Sequence, residues 1–297
     1  MLWRDRRRSA NVEDLRGRGG IGRGGLVGGG IGGVALLLLA LLFGVDPSIL
    51  IDDGGSYEDA RAPGGLPSGY GAPPPGAPAS DDALKAFVST VLADTEDTWN
   101  RVFRDQLGRD YEEPTLVLFT GAVNSGCGAA QAAMGPFYCP LDRRVYIDLG
   151  FYRELRDRFG APGDFAQAYV LAHEVGHHVQ TLLGISDEIH AARRRLPQEQ
   201  GNALSVRLEL QADCLAGLWA DTARQAGVLE PGDVEEAINA AAAVGDDRIQ
   251  RQARGTVDPE SFTHGSARQR ADWFQRGYEA GDLRACDTFS EGGVAAR

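Results

Sequence analysis

At 297 residues the chain can hold one good-sized domain with additional segments, or two small ones. Its net charge is −12, from 30 basic and 42 acidic residues, which argues against nucleic acid as the main partner because phosphate recognition wants a basic face. Lys85 is the sole lysine, and the first 23 residues are strongly basic while the acidic excess lies downstream.

In chain order, residues 1–23 read as a basic cytoplasmic tail. Its "GRGGIG" fits a dinucleotide-binding spacing, but no strand precedes it and no βαβ unit follows, so that reading is set aside. Residues 24–45, "GGLVGGGIGGVALLLLALLFGV", carry no charge and are long enough, at about 1.5 Å per residue, to cross a bilayer as a helix. The arginine excess before them places the N-terminus in the cytoplasm and the rest of the chain outside, anchored as a single-pass protein of the cell membrane with the lipid bilayer as a partner. A cleaved signal peptide competes, but no convincing small-x-small site follows the apolar run. Residues 46–80 are rich in Pro, Gly and Ala and read as a flexible tether.

The folded domain is expected over residues 81–290, with 291–297 as a tail. Its pattern is mostly helical. Apolar residues recur every three or four positions over Asp81–Leu107. "PTLVLFT" (Pro114–Thr120) reads as a buried strand, and "PFYC" and "RVYIDL" as two short strands joined by "PLDR". Helices follow at Phe151–Phe159, Asp164–Leu183, near Ser186–Arg195, Ala203–Ala226, Pro231–Val244 and Ser266–Ala280. A small antiparallel or mixed sheet followed by helices defines an α+β fold.

The helix Asp164–Leu183 is largely apolar, yet "HEVGHH" in its middle holds three of the chain's five histidines. Burying several ionisable groups is costly, and a metal ion gives a reason for it. His173 and His177 are four residues apart and stack on one face, where both imidazoles reach one cation. Glu174 points about 100° to the side, within reach of a water but not itself a ligand; this is H-E-x-x-H, with the glutamate as general base. Gly176 leaves the helix surface bare for close packing. His178 faces elsewhere and is more simply a histidine satisfied by the fold. A metzincin-type third ligand is excluded, since position 183 is Leu. A second apolar helix stretch, "RLELQADCLAG", carries Glu209 and Asp213 four apart. Glu209 is favoured as the third ligand over His190 or His264, and Asp213 as the acceptor that fixes a ligating imidazole.

Together "GPFYCPLDRRVYIDLGFY", "HEVGHHVQ", "RLELQADCLAG" and "FTHGSARQRADWFQRGYEAGDLRACDTF" resemble the YpfJ-like neutral zinc metallopeptidases of bacteria, with a gluzincin-type ligand order, over roughly Asp81 to Phe289. The resemblance implies a zincin-like domain anchored at its N-terminus, one Zn²⁺ held by His173, His177 and Glu209, and Glu174 as base; it does not itself imply a substrate, and a protein or peptide is the partner that the expected hydrolysis calls for. His264 is a candidate donor to the tetrahedral intermediate, with Tyr138 or Tyr146 behind it and a loop or capping role as the alternative. Residues around Gln131–Tyr138 are candidates for an edge strand that pairs with substrate. With the domain outside the cytosol, Cys127 would pair with Cys139 and Cys214 could join Cys286; a buried free thiol at Cys214 is the alternative. A zinc-containing extracytoplasmic binding or scaffold domain without catalysis is the rival function.

Overall fold

A computed structural model of the protein describes residues 1–17 and 81–290. The described residues form one unit that is mostly helical, with a four-stranded mixed sheet and a two-stranded hairpin. The expected α+β arrangement is present.

The first long helix, α1 (Asp81–Val102), continues into a π-helical turn over Phe103–Leu107, so the apolar periodicity spans both. The sheet strands are β1 (Val12–Asp14), β2 (Thr115–Phe119), β5 (Phe137–Cys139) and β6 (Arg144–Asp148), in the order β1-β2-β6-β5. β1 and β6 run parallel to β2, and β5 is antiparallel to β6. β3 (Ala122–Ser125) and β4 (Gly128–Gln131) form a separate hairpin. It is made largely of small residues and carries little strand propensity to read in advance.

The helices that follow are α2 (Phe151–Asp157), α3 (Asp164–Leu182), α4 (Ile185–Arg193), α5 (Gln198–Gln225), α6 (Asp233–Ala243), α7 (Asp246–Arg254) and α8 (Ala267–Ala280). α7 was not expected; "DDRIQRQAR" has almost no apolar stripe and none of its residues is buried. α3 is central, packing on α1, α5, α6 and the strands β5 and β6. Phe165 stacks on Trp219 at 5.3 Å and Tyr169 meets Phe274 edge-on at 5.6 Å, tying α3 to α5 and α8.

Glycines set how closely these helices approach. A Cβ on Gly176 would stand 3.0 Å from the Ala212 carbonyl oxygen, so α3 and α5 nearly touch at that crossing. At the α5–α8 crossing a Cβ on Gly277 would fall 1.9 Å from the Cys214 carbonyl oxygen, leaving room only for hydrogen. Two disulfides brace the frame: Cys127–Cys139 ties the hairpin turn to β5, and Cys214–Cys286 ties α5 to the C-terminal segment.

The N-terminal segment departs from expectation. Residues 1–17 are not a separate tail but part of the domain. β1 pairs with β2 in register, Trp3 packs edge-on against Phe87, and Arg6 and Arg7 bond Asp94, Glu96 and Asp97 of α1. Two of the arginines that read as a topology signal, Arg6 and Arg7, are partners for the buried carboxylates of Asp94 and Glu96. This overturns the single-pass location with a cytoplasmic N-terminus and an extracytoplasmic domain, because strands of one sheet cannot lie on opposite sides of a bilayer. Among the described residues no helix is long and apolar enough to cross a membrane. The expected span at 24–45, the tether at 46–80 and the tail at 291–297 lie outside the described residues.

Candidate metal centre

The crossing of α3 and α5 builds the site. Gly176 faces Ala212, and Ala212 is flanked in the helix by Glu209 one turn earlier and Asp213 next to it. The contact therefore presses both carboxylates against the histidine face of α3. His173 Nε2 lies 3.2 Å from Glu209 Oε2, and His177 Nε2 lies 3.5 Å from Glu209 Oε1. The two imidazoles stand edge to face, 4.8 Å apart.

The other ring nitrogens are fixed from behind. His173 Nδ1 is 2.8 Å from Asp213 Oδ1, and His177 Nδ1 is 2.9 Å from Gln180 Oε1. A carboxylate and an amide carbonyl only accept, so each Nδ1 carries a proton, and Nε2 is the nitrogen left facing Glu209, able to bind a metal once it gives up any proton of its own. Gln180 is oriented in turn, because its amide nitrogen donates to the Leu208 carbonyl at 2.7 Å and to Gln211 at 3.1 Å.

Electrostatics favour positive charge at this point. Burial opposes a charged His173, but Asp213 and Glu209 outweigh it and push its pKa up to about 10. Burial acts the opposite way on Glu209, where His177, His173 and His264 hold the carboxyl well below its ordinary range. His173, His177 and Glu209 each offer one ligand atom, all within 4.8 Å of one another. Two imidazoles with their Nδ1 atoms engaged, plus one carboxylate, are a nitrogen–oxygen donor set suited to zinc with a position left open. The residues fit the ion.

Glu174 follows His173 on α3 and is buried, 9% exposed; among the described residues no group bonds its carboxylate. His264 stands at the rim, its Nδ1 3.2 Å from Asp246 Oδ1. Asp246 Oδ2 also accepts the backbone N–H groups of Thr263 and His264, both at 2.7 Å, and of Gly265 at 3.1 Å, which holds this loop in shape. Burial disfavours a charged His264, but Asp246 and Glu209 raise its pKa.

Other candidates are engaged elsewhere. His178 lies between the Tyr138 hydroxyl at 3.1 Å and the Glu112 carbonyl at 2.6 Å, a histidine satisfied by the fold. Tyr146 donates to Asp142 at 2.7 Å. His190 is not among the grouped ligand atoms.

Four participants escaped the sequence reading: Tyr169, Gln180, Asp246 and Arg270. The first two lie on the histidine helix, at positions −4 and +3 from a histidine. Arg270 had the clearest signal, since it interrupts the inward stripe Ala267, Phe274, Gly277 of α8 at helical spacing.

A mostly helical α+β domain with a His₂Glu group on crossed helices defines a candidate zinc-peptidase centre. The chain belongs to the family described as "Putative neutral zinc metallopeptidase", whose model matches residues 1–289 and so includes the N-terminal segment. It is 47% identical over 298 residues to "Uncharacterized protein YpfJ" of Escherichia coli (strain K12), covering 98% of this chain and 99% of that one. It is 48% identical over 216 residues to "Uncharacterized protein Mb2605" of Mycobacterium bovis and to "Uncharacterized protein Rv2575" of Mycobacterium tuberculosis, covering 69% of this chain and 71% of each relative. No solved structure matches the chain.

Proposed function

We propose that the protein hydrolyses peptide bonds, with His173, His177 and Glu209 holding one zinc ion and Glu174 as the general base. The observation that carries this reading is the convergence of His173 Nε2, His177 Nε2 and the Glu209 carboxylate, with Asp213 and Gln180 fixing the imidazoles from behind. Zinc held there would lower the pKa of a water and polarise a peptide carbonyl.

The chain's own residues supply the rest. The Glu174 carboxylate accepts a proton from the attacking water and returns it to the leaving nitrogen as the carbon–nitrogen bond breaks. His264 is the donor to the developing oxyanion. Asp246 occupies its Nδ1, so Nε2 is the nitrogen offered. The substrate adds as a strand along β5, one of the two terminal strands of the sheet and the one joined to α3 through the Tyr138–His178 bond. Such pairing draws affinity from the main chain and demands little of the substrate's sequence. Gln131, expected at this edge, belongs instead to the separate hairpin.

The test uses the full chain, because residues 1–17 belong to the domain. Zinc content and casein cleavage are measured for the wild type and for Glu174→Gln. The expected result is zinc in both and cleavage reduced by about 10²–10⁴-fold in the variant. Zinc in both with no cleavage in either favours a zinc-containing binding domain, and no zinc in either overturns the reading.

A further inference from the structure

Asp213 is fully buried, and a carboxylate taken wholly out of water is tolerable only if both oxygens are bonded. His173 cannot do this alone, because it reaches only Oδ1, at 2.8 Å. Oδ1 also accepts from the Tyr169 hydroxyl at 2.6 Å. Oδ2 is bonded by Arg270, whose Nε stands 2.8 Å away, while Nη2 of the same guanidinium reaches Oδ1 at 3.0 Å. The fork is two-pronged, one nitrogen to each oxygen, the arrangement in which guanidinium and carboxylate match best. Nη2 also contacts the Tyr169 hydroxyl at 3.2 Å, and Arg270 is itself 4% exposed.

Arg270 is placed by the frame. Gly217 and Gly277 allow α5 and α8 to meet backbone to backbone, and the Cys214–Cys286 disulfide holds α5 directly beside Asp213. The guanidinium thus arrives over Asp213 from a helix that contributes no metal ligand.

We propose that Arg270 is a positioning residue for the metal centre: it locks the Asp213 carboxylate so that Oδ1 stays committed to His173 Nδ1, and the Nε2 lone pair stays aimed at the metal position beside Glu209. The inference rests on the zinc-peptidase reading and deepens it. Without the fork, Oδ2 has no partner, and the carboxylate is held only through Oδ1, by the Tyr169 hydroxyl and His173. Lysine keeps the charge but offers no planar pair of donors, so it restores the lock only in part.

The experiment is a zinc-affinity measurement by competition with a chromophoric chelator. It compares wild-type full-length protein, Arg270→Gln, Arg270→Lys, Asp213→Asn and the double variant Asp213→Asn/Arg270→Gln, with the melting temperature in chelator recorded for each. Arg270→Gln is expected to weaken zinc binding about 10–100-fold and Arg270→Lys by less, the range seen when groups supporting a ligand are removed. The double variant is expected to be no weaker than Asp213→Asn, because Arg270 acts through that carboxylate. Wild-type affinity in both Arg270 variants, with only a lower melting temperature, overturns the inference and leaves Arg270 a packing residue. Additive losses in the double variant overturn it too. If Arg270→Gln does not fold, Arg270→Lys decides alone: an affinity equal to wild type rejects the lock. A wild-type protein that takes up no zinc removes the underlying reading instead, which separates the two failures.

Discussion

Helix α3 carries two clusters that could each hold a cation, one at its first residue and one at its middle. At the start, Asp164 gathers with Asp233 and Glu236; in the middle, His173 and His177 gather with Glu209; in both groups the ligand atoms lie within 4.8 Å of one another. Their chemistry differs. The first offers only carboxylates, and these are already matched: the Met1 ammonium stands 2.7 Å from Asp164 and 3.3 Å from Asp233, while Glu236 accepts the Phe165 N–H at 3.1 Å. The second offers two imidazoles whose Nδ1 atoms are bonded from behind, so their Nε2 atoms converge on a shared point beside Glu209. Proximity of ionisable groups therefore does not define a metal centre. What defines it is that the converging atoms are held from the far side and left with nothing fixed between them.

The strongest way to break this contrast is to alter one cluster at a time. Glu209→Gln is expected to reduce zinc after dialysis from about one per chain to background and to lower peptidase activity at least about a hundredfold. Asp233→Asn is expected to leave zinc content unchanged, since its cluster is served by an ammonium. Metal analysis of the two variants decides it. Zinc retained by Glu209→Gln and lost by Asp233→Asn would assign the metal to the wrong end of the helix and reject the centre described above.

The two clusters also differ in how their surroundings are held. Beside the central one, the Cys214–Cys286 bond closes a loop of sequence separation 72 next to Asp213. Chain-entropy estimates give about 4 kcal/mol for a loop of this size. Replacing both cysteines with Ala is expected to lower the melting temperature by roughly 10 °C and to weaken zinc binding, because α5 loses its tether at the carboxylate that orients His173. The N-terminal cluster is not expected to feel it. A melting temperature within a few degrees of wild type would show that helix packing at Gly217 and Gly277 suffices.

How much of this could be read beforehand follows from the range of the interactions. His173, His177, Glu209 and Asp213 declare themselves through four-residue spacing on apolar helices, so one helical period carries the information. Arg270 meets Asp213 from 57 residues away, and only its place in a buried stripe hints at it. The N-terminal segment was misread because its partners lie farther still: Arg6 bonds Asp94 across 88 residues and Met1 bonds Asp164 across 163. A run of arginines looks the same whether it meets lipid headgroups or buried carboxylates; only the tertiary contacts distinguish them. The three-residue strand β1 is likewise too short to carry a period.

The smallest expected effect belongs to the other end of α3. The Met1 ammonium is pushed up to about 10 from its ordinary 8.0: burial opposes the charge, but hydrogen bonds to Asp164 and Glu230 and the nearby Asp233 outweigh it. The folded protein therefore holds this proton more tightly than the unfolded chain does. The resulting stability is fully present below about pH 8 and is lost as pH rises through about 10. Asp164 and Glu230 are 37% and 51% exposed, so solvent screens the interaction and its worth is about 1 kcal/mol rather than the full value of the shift. Urea unfolding of full-length protein at pH 7 is expected to show acetylated Met1 less stable than free Met1 by about that amount, with the difference vanishing near pH 10.5. Zinc affinity should be the same in both forms, because the cluster at the start of α3 shares no residue with the one at its middle. A change in zinc affinity on acetylation would mean that the two ends of the helix are coupled, and the contrast between a filled cluster and an open one would have to give way to a single connected site.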